Sequence, residues 1–506
     1  MADQIKQQAG APRCGPGGGV AGVVATRNDI RAGERSASGE LAGVFDRWQQ
    51  THGWLNALVQ PRFEAAAAEA GLIHASDLRP LAGVPVSVKD CFAVEGLSTT
   101  LGILPRRDLE DRRDSLLVQR LRAGGAVIVG KANVPQALYL HETDNPVFGQ
   151  TVHPLNQDRG PGGSSGGDAA LVAAGVVPLA FGNDLAGSIR QPAHACGLVG
   201  YLPSTRCLGN GDAFNTMPSL QGFCSRVGVL ARSVADAAMA VEGVTGRAVA
   251  AADHVGSPLG IGWWETAGPV PPSSAVVRGV REAVAAVAAA GMQTRSVDDS
   301  FAELAGWIHL ALVSSDGGAS IRSLLKGSPP IEQVAELCRL GGLPRWQRPL
   351  LATVASLAGR GIEAAAVRKT GPRSALELQQ LLRARESLGQ LLESWRRRHG
   401  LDAAVFPVSA LPALKHGTAA RLILAAFPCL LASLFDLPAA SVPVTRVRAS
   451  ETTSRAGSLD PVLRAAAATD AGSEGLPVGV QVVALDGREQ TLLQVMAAIE
   501  RGVGRF

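Results

Sequence analysis

Leu81-Ala-Gly-Val-Pro-Val-Ser-Val-Lys-Asp90 is the stretch on which the fold class turns. Val84, Val86 and Val88 recur with the two-residue period of a strand, which places Lys89 on the face opposite the valines. Ser115 is a candidate N-cap for a helix that runs to Arg122 and stops at Gly124-Gly125. Ala126-Val-Ile-Val129 then reads as a buried strand, followed by Gly130-Lys-Ala-Asn133. Strand and helix alternate in this way to about residue 320, which argues for an α/β layer architecture.

Outward from that stretch, residues 38–58 are helical by the spacing of Leu41, Phe45 and Trp48. Residues 168–174 read as a helix and 176–181 as a strand. Residues 330–398 lack strand signals and read as a helical insertion. Strands return at 403–408, 439–444 and 478–483, and residues 489–500 close the chain with a helix. The expected domains are a flexible tail over 1–27 and one large α/β domain over 28–506 that carries the insertion.

Composition narrows the class. The 506 residues are 46% hydrophobic and 18% charged, ample for a large core and unlike a disordered chain. A net charge of +4 implies no dedicated nucleic-acid surface. The seven cysteines are scattered without C-x-x-C spacing, so a disulfide framework or zinc site is not expected and a reducing compartment is. The longest apolar run, 422–435, is broken by Pro428 and falls short of the ~18 residues of a membrane span, so it is read as a buried helix or strand.

Two Gly/Ser stretches carry the chemistry. Pro161-Gly-Gly-Ser-Ser-Gly-Gly-Asp168 satisfies G-x-S-x-G, but a nucleophile elbow needs a strand directly before it. Asn156-Gln-Asp-Arg-Gly-Pro161 is a loop, so the elbow is rejected. The second stretch, Phe181-Gly-Asn-Asp-Leu-Ala-Gly-Ser-Ile-Arg-Gln-Pro192, puts Ser188 after three small or apolar residues whose N–H groups can converge on an acyl oxygen. Lys89 alone would be an ordinary surface or ion-paired lysine. Its spacing, 75 residues before Ser164 and 99 before Ser188, changes that reading.

Val88-Lys-Asp90, Gly162-Gly-Ser-Ser-Gly-Gly167 and Gly182-Asn-Asp-Leu-Ala-Gly-Ser-Ile-Arg190 together resemble the amidase signature family. The resemblance extends through Gly125-Ala-Val-Ile-Val-Gly-Lys-Ala-Asn133 and Gly475-Leu-Pro-Val-Gly-Val-Gln481, and covers nearly all of the chain after residue 27. It implies a large mixed, twisted β-sheet covered by helices. It implies catalysis by Ser188 as nucleophile, Ser164 as proton relay and Lys89 as base, with a cis Gly163–Ser164 peptide. It also implies an oxyanion hole at Leu185, Ala186, Gly187 and Ser188. The family usually carries Thr at the position of Asn183 and Gly at that of Ala186, where the added methyl restricts positive φ. A buried lysine loses charge readily enough to act as a base. No cofactor or metal is implied; the nine histidines lack ligand spacing, and His194 is read as a packed structural residue.

Asn145-Pro-Val-Phe-Gly-Gln-Thr-Val-His-Pro154 and Gly342-Leu-Pro-Arg-Trp-Gln-Arg-Pro-Leu-Leu351 resemble the fatty acid amide hydrolase branch, in which the second region forms a membrane-binding cap. From Arg345 to Arg398 there are eleven Lys or Arg and four Glu, and Trp346, Leu350, Leu351, Val354 and Leu357 form an apolar face beside Arg345, Arg348 and Arg360. A basic amphipathic helix of this kind suits an anionic lipid surface. The expectation is a cytoplasmic enzyme for a lipophilic small-molecule amide, touching membranes peripherally through the cap and needing no nucleic acid; a homodimer is left open. The rival readings are a soluble amidase for small aryl or aliphatic amides, a glutaminyl-tRNA amidotransferase-like subunit, and a non-enzymatic lipid binder.

Overall fold

The computed structural model describes residues 21–249, 258–453 and 455–504. Its strands are β1 (Leu58–Pro61), β2 (Pro85–Lys89), β3 (Val127–Ala132), β4 (Leu179–Asp184), β5 (Val199–Leu202), β6 (Arg226–Ala231), β7 (Gly260–Trp263), β8 (Gln293–Ser296), β9 (Ala403–Pro407), β10 (Ala439–Arg446) and β11 (Pro477–Ala484). They make one 11-stranded sheet in the order β1-β3-β2-β4-β6-β5-β10-β11-β9-β7-β8. The sheet is mixed. β2 runs parallel to both β3 and β4, while β4 pairs antiparallel with β6.

Strand alternation divides the core into two layers. Val84, Val86 and Val88 pack with Phe181 and Val229 in one cluster. Val127, Val129, Ala180 and Leu230 pack in another, with the helix Gly166–Ala173. Burying each of these valines or leucines contributes roughly 1.5–3 kcal/mol. Ser87 and Lys89 therefore project into the second layer, on the side of that helix, as the valine alternation in the sequence requires. The parallel pairing of β2 with β4 brings the carboxyl ends of both strands together, the usual location of a site in a parallel sheet.

Several expectations are corrected. The tail does not extend to residue 27, because a helix Val23–Ala32 begins inside it. Val23 and Thr26 are buried and Val24 N–H donates to Asp236 Oδ1 at 2.8 Å. Its small and polar residues give no hydropathy signal; residues 1–20 lie outside the described residues. The helix Leu116–Ala123 is not capped by the Ser115 side chain, whose Oγ has no partner among the described residues. Asp212 Oδ2 accepts from Leu116 N–H instead. Strand and helix alternate through β8 and the helix Ser300–Val313, and the alternation stops near residue 320, as expected, because the next element, Ala319–Leu324, is again a helix. The helices Glu332–Gly341, Arg348–Leu357, Gly361–Lys369 and Ala375–His399 follow. The last is started by a Ser374/Glu377 capping box and stopped by Gly400 in the left-handed conformation. Residues 423–434 form a 3₁₀ helix and a short α-helix, both buried. Among the described residues, no helix is long and apolar enough to cross a membrane.

Candidate active site

Lys89, the last residue of β2, is fully buried. Its Nζ lies 2.7 Å from Ser164 Oγ, and Ser164 Oγ lies 2.9 Å from Ser188 Oγ. The three residues singled out in the sequence are thus one hydrogen-bonded chain. Ser164 comes from the loop before the helix Gly166–Ala173, and the Gly163–Ser164 peptide is cis. Ser188 comes from the turn after β4. The backbones of the two segments are tied by Ser165 N–H, which donates to Ser188 C=O at 3.2 Å. At Gly182 the close approach of this loop leaves no room for a side chain: a Cβ there would lie 2.4 Å from Ser165 Oγ.

Asn183 completes the surroundings of Lys89. Nζ donates to Asn183 Oδ1 at 2.8 Å and to Asn183 C=O at 3.2 Å. Both oxygens are pure acceptors, so they occupy the two N–H bonds of a neutral amine and leave its lone pair for the Ser164 hydroxyl. Burial pulls Lys89 down to about 8, against the upward pull of Cys91, Asp168 and Asp184. Asp168 receives a hydrogen bond from Ser87 Oγ at 2.9 Å, and its other oxygen has no partner among the described residues. Burial pushes its carboxyl up to about 7, and the Ser87 bond and the charge on Lys89 oppose the rise.

The turn that carries Ser188 is built on Asp184. Its carboxylate accepts from Gly187 N–H at 2.6 Å, Ile189 N–H at 3.1 Å and Arg190 Nε at 3.0 Å, and pairs with Arg190 Nη2 at 2.9 Å. Both side chains are fully buried. Burial alone would raise the Asp184 carboxyl, but the Arg190 guanidinium and the two N–H donors hold it well below the usual carboxylate range. Arg190 reaches onward to Cys429 C=O and Gln481 Oε1, both at 2.7 Å, and to Ser433 Oγ at 2.9 Å.

This hub changes the expected oxyanion hole. Gly187 N–H is spent on Asp184, whereas the N–H groups of Leu185, Ala186 and Ser188 have no partner among the described residues. The left-handed backbone falls on Gly187, at φ 112°, and not on Ala186, so the methyl of Ala186 carries no backbone strain. A Cβ on Gly187 would also meet Cys429 Sγ at 2.9 Å.

His194 is structural, as expected. Its Nε2–H donates to Leu411 C=O at 2.9 Å and its Nδ1 accepts from Gly479 N–H at 3.1 Å. Among the described residues, no group of three or more His, Cys, Asp or Glu is placed to hold a metal ion. Asp184 and Arg190 are functional residues that sequence reasoning missed, although both lie within residues 181–192. Their spacing of six residues across a turn has no periodic signature.

Ser164 and Ser188 open on a cavity of about 740 Å³. Its walls include Phe214, Met217, Leu220, Phe223 and Phe427, and it continues to Leu351 and Val354 on the helix Arg348–Leu357. Those two residues are 40% and 56% exposed, so the cavity ends at the protein surface. In the same segment of sequence, Trp346, Leu350 and Leu357 are 76%, 66% and 85% exposed.

The sequence pattern of the family described as Amidase matches residues 41–493. Fatty-acid amide hydrolase 1 of Sus scrofa is 30% identical over 498 residues, which covers 93% of this chain and 84% of that protein. One subunit of the glutamyl-tRNA(Gln) amidotransferase of Koribacter versatilis is 35% identical over 230 residues, 44% of this chain and 47% of that one. Among solved structures, a fatty acid amide hydrolase superposes with a TM-score of 0.79 over 96% of this chain and 86% of its own, at 19% identity. That last likeness is one of fold.

Proposed function

This chain belongs to the amidase family and is a hydrolase acting on amides, and from that premise we propose that it cleaves fatty acid amides or related lipophilic amides through an acyl-enzyme on Ser188. The observation that supports the reading most is the Lys89–Ser164–Ser188 chain opening on a long apolar cavity.

Amide hydrolysis needs an activated nucleophile, a stabilised oxyanion and a proton for the leaving nitrogen. Ser188 Oγ attacks the acyl carbon as its proton passes to Ser164 Oγ, and the Ser164 proton passes to neutral Lys89 Nζ. The N–H groups of Leu185, Ala186 and Ser188 receive the developing oxyanion. The tetrahedral intermediate then expels the amine, which takes the proton back from Lys89 through Ser164. Water attacks the acyl-enzyme by the same relay and releases the carboxylic acid. The acyl chain lies along Phe214, Phe223 and Phe427.

The test is hydrolysis of a long-chain fatty acid primary amide against a short aryl amide, with Ser188→Ala as control. The expected result is a higher kcat/KM for the long chain, absent in the control. A preference for the short aryl amide would keep the serine chemistry and discard the lipid substrate.

The helices over 330–398 act in this reading as a cap that rests on a lipid surface. The exposed Trp346, Leu350 and Leu357 lie in the same segment as the cavity-lining Leu351 and Val354, and Arg345 and Arg360, now paired with Glu377 and Glu363, are close by in sequence to meet anionic headgroups. Each large apolar side chain withdrawn from water contributes roughly 1.5–3 kcal/mol. The triple variant Trp346→Ser, Leu350→Ser, Leu357→Ser is therefore expected to lose at least about 100-fold in affinity for phosphatidylserine-containing vesicles. Its activity on a soluble short amide stays the same. Unchanged vesicle affinity would remove the membrane role.

A further inference from the structure

We propose that His309 is a positioning residue for the oxyanion turn, fixing the Leu185–Ala186 peptide plane through its carbonyl. The inference rests on the acyl-transfer reading above.

In a trans peptide the C=O and the following N–H point in opposite directions, so holding one aims the other. His309 Nε2–H donates to Leu185 C=O at 3.1 Å. That bond aims the Ala186 N–H away from the helix Ser300–Val313, and this N–H has no partner among the described residues. The N–H of the next peptide, on Gly187, ends on Asp184 Oδ1 at 2.6 Å. The Leu185–Ala186 peptide is thus clamped at its carbonyl and presents its hydrogen. Such pre-set donors cost no reorganisation when the oxyanion forms.

His309 is suited to a fixed donor. The side chain is fully buried, with its ring 4.5 Å from that of Phe223 between centroids. Nδ1 is buried with no partner among the described residues, so the tautomer that fits carries its hydrogen on Nε2, toward Leu185. Burial holds the ring down to about 4, against the pull of the Leu185 carbonyl, so the ring is neutral and the donor persists through the neutral pH range. The chain brings this donor from 121 residues beyond Ser188, on a helix that also walls the cavity.

The experiment compares His309→Leu, which removes the donor, with His309→Gln, whose side-chain amide can replace Nε2–H. Each rate is normalised to the sites titrated by a fluorophosphonate. The readouts are kcat and KM for one amide, and affinity for a trifluoromethyl ketone, which adds to Ser188 and places an oxyanion in the turn. His309→Leu is expected to lose about 10- to 100-fold in both kcat and ketone affinity, with KM unchanged within twofold. His309→Gln recovers most of the loss. Wild-type kcat in His309→Leu overturns the inference, as does equal loss in the leucine and glutamine variants or a fall in kcat without a fall in ketone affinity. Amide turnover that survives Ser188→Ala would instead overturn the acyl-enzyme reading itself.

Discussion

Replacing Ser188 by alanine lowers kcat for amide hydrolysis by about 10⁴-fold or more, Lys89→Ala does nearly as much, and the double variant is no worse than either single one. The expectation follows from the geometry of one proton path. Lys89 Nζ, Ser164 Oγ and Ser188 Oγ are linked at 2.7 and 2.9 Å, and in the proposed relay no link works without the others. Groups acting independently would multiply their effects; members of a unit do not. The check is kcat for the wild type, the two single variants and the double variant. A double variant slower by the product of the two single losses would show that Lys89 and Ser188 act separately.

The same path predicts a pH profile. In the proposed relay Lys89 serves as base only when neutral, and burial pulls its loss of charge down to about 8. Activity therefore rises with pH through about 8 and falls about tenfold per unit below it. The acidic neighbours Asp168 and Asp184 both favour the charged form, so they hold the limb higher than burial alone would. A flat kcat/KM between pH 6 and 9 would remove Lys89 from the base role.

What the sequence made legible follows from the range of the interactions involved. β2 and the face of Lys89 were readable because alternation of valines is a local pattern that tertiary structure did not override. The loop before Ser164 was readable because an elbow needs a strand, and Asn156 to Pro161 cannot supply one. The helix at Val23 was hidden because it buries only Val23, Thr26 and Ile30 and is held by a bond from Val24 to Asp236, 212 residues away. The Ser115 cap failed for a similar reason: Leu116 N–H found its acceptor in Asp212, 96 residues beyond Leu116. The site shows the same division. Lys89, Ser164 and Ser188 sit in recognisable stretches. The partners of the Ser188 turn do not: His309 lies 124 residues from Leu185, and Cys429, Ser433 and Gln481 lie 239 to 291 from Arg190. No local spacing announces a contact that only the folded sheet creates.

Asp184→Asn is expected to destabilise the protein by about 3–5 kcal/mol, because it leaves the Arg190 guanidinium buried without a counter-charge. Arg190 would keep only neutral oxygens, those of Cys429, Gln481 and Ser433. The same change is expected to lower kcat by at least about 100-fold. The carboxylate accepts from Gly187 N–H with one oxygen and from Ile189 N–H with the other, and an amide nitrogen cannot accept the second bond. The two effects separate in the double variant Asp184→Asn, Arg190→Met. Removing the lone charge restores much of the stability, since a buried pair replaced by uncharged groups is often close to neutral. It does not restore the accepting oxygen, so kcat stays low. Urea denaturation and kcat on the same three proteins decide the matter. If kcat returned with stability in the double variant, Asp184 would serve only to neutralise Arg190, and the shape of the Ser188 turn would have to come from elsewhere.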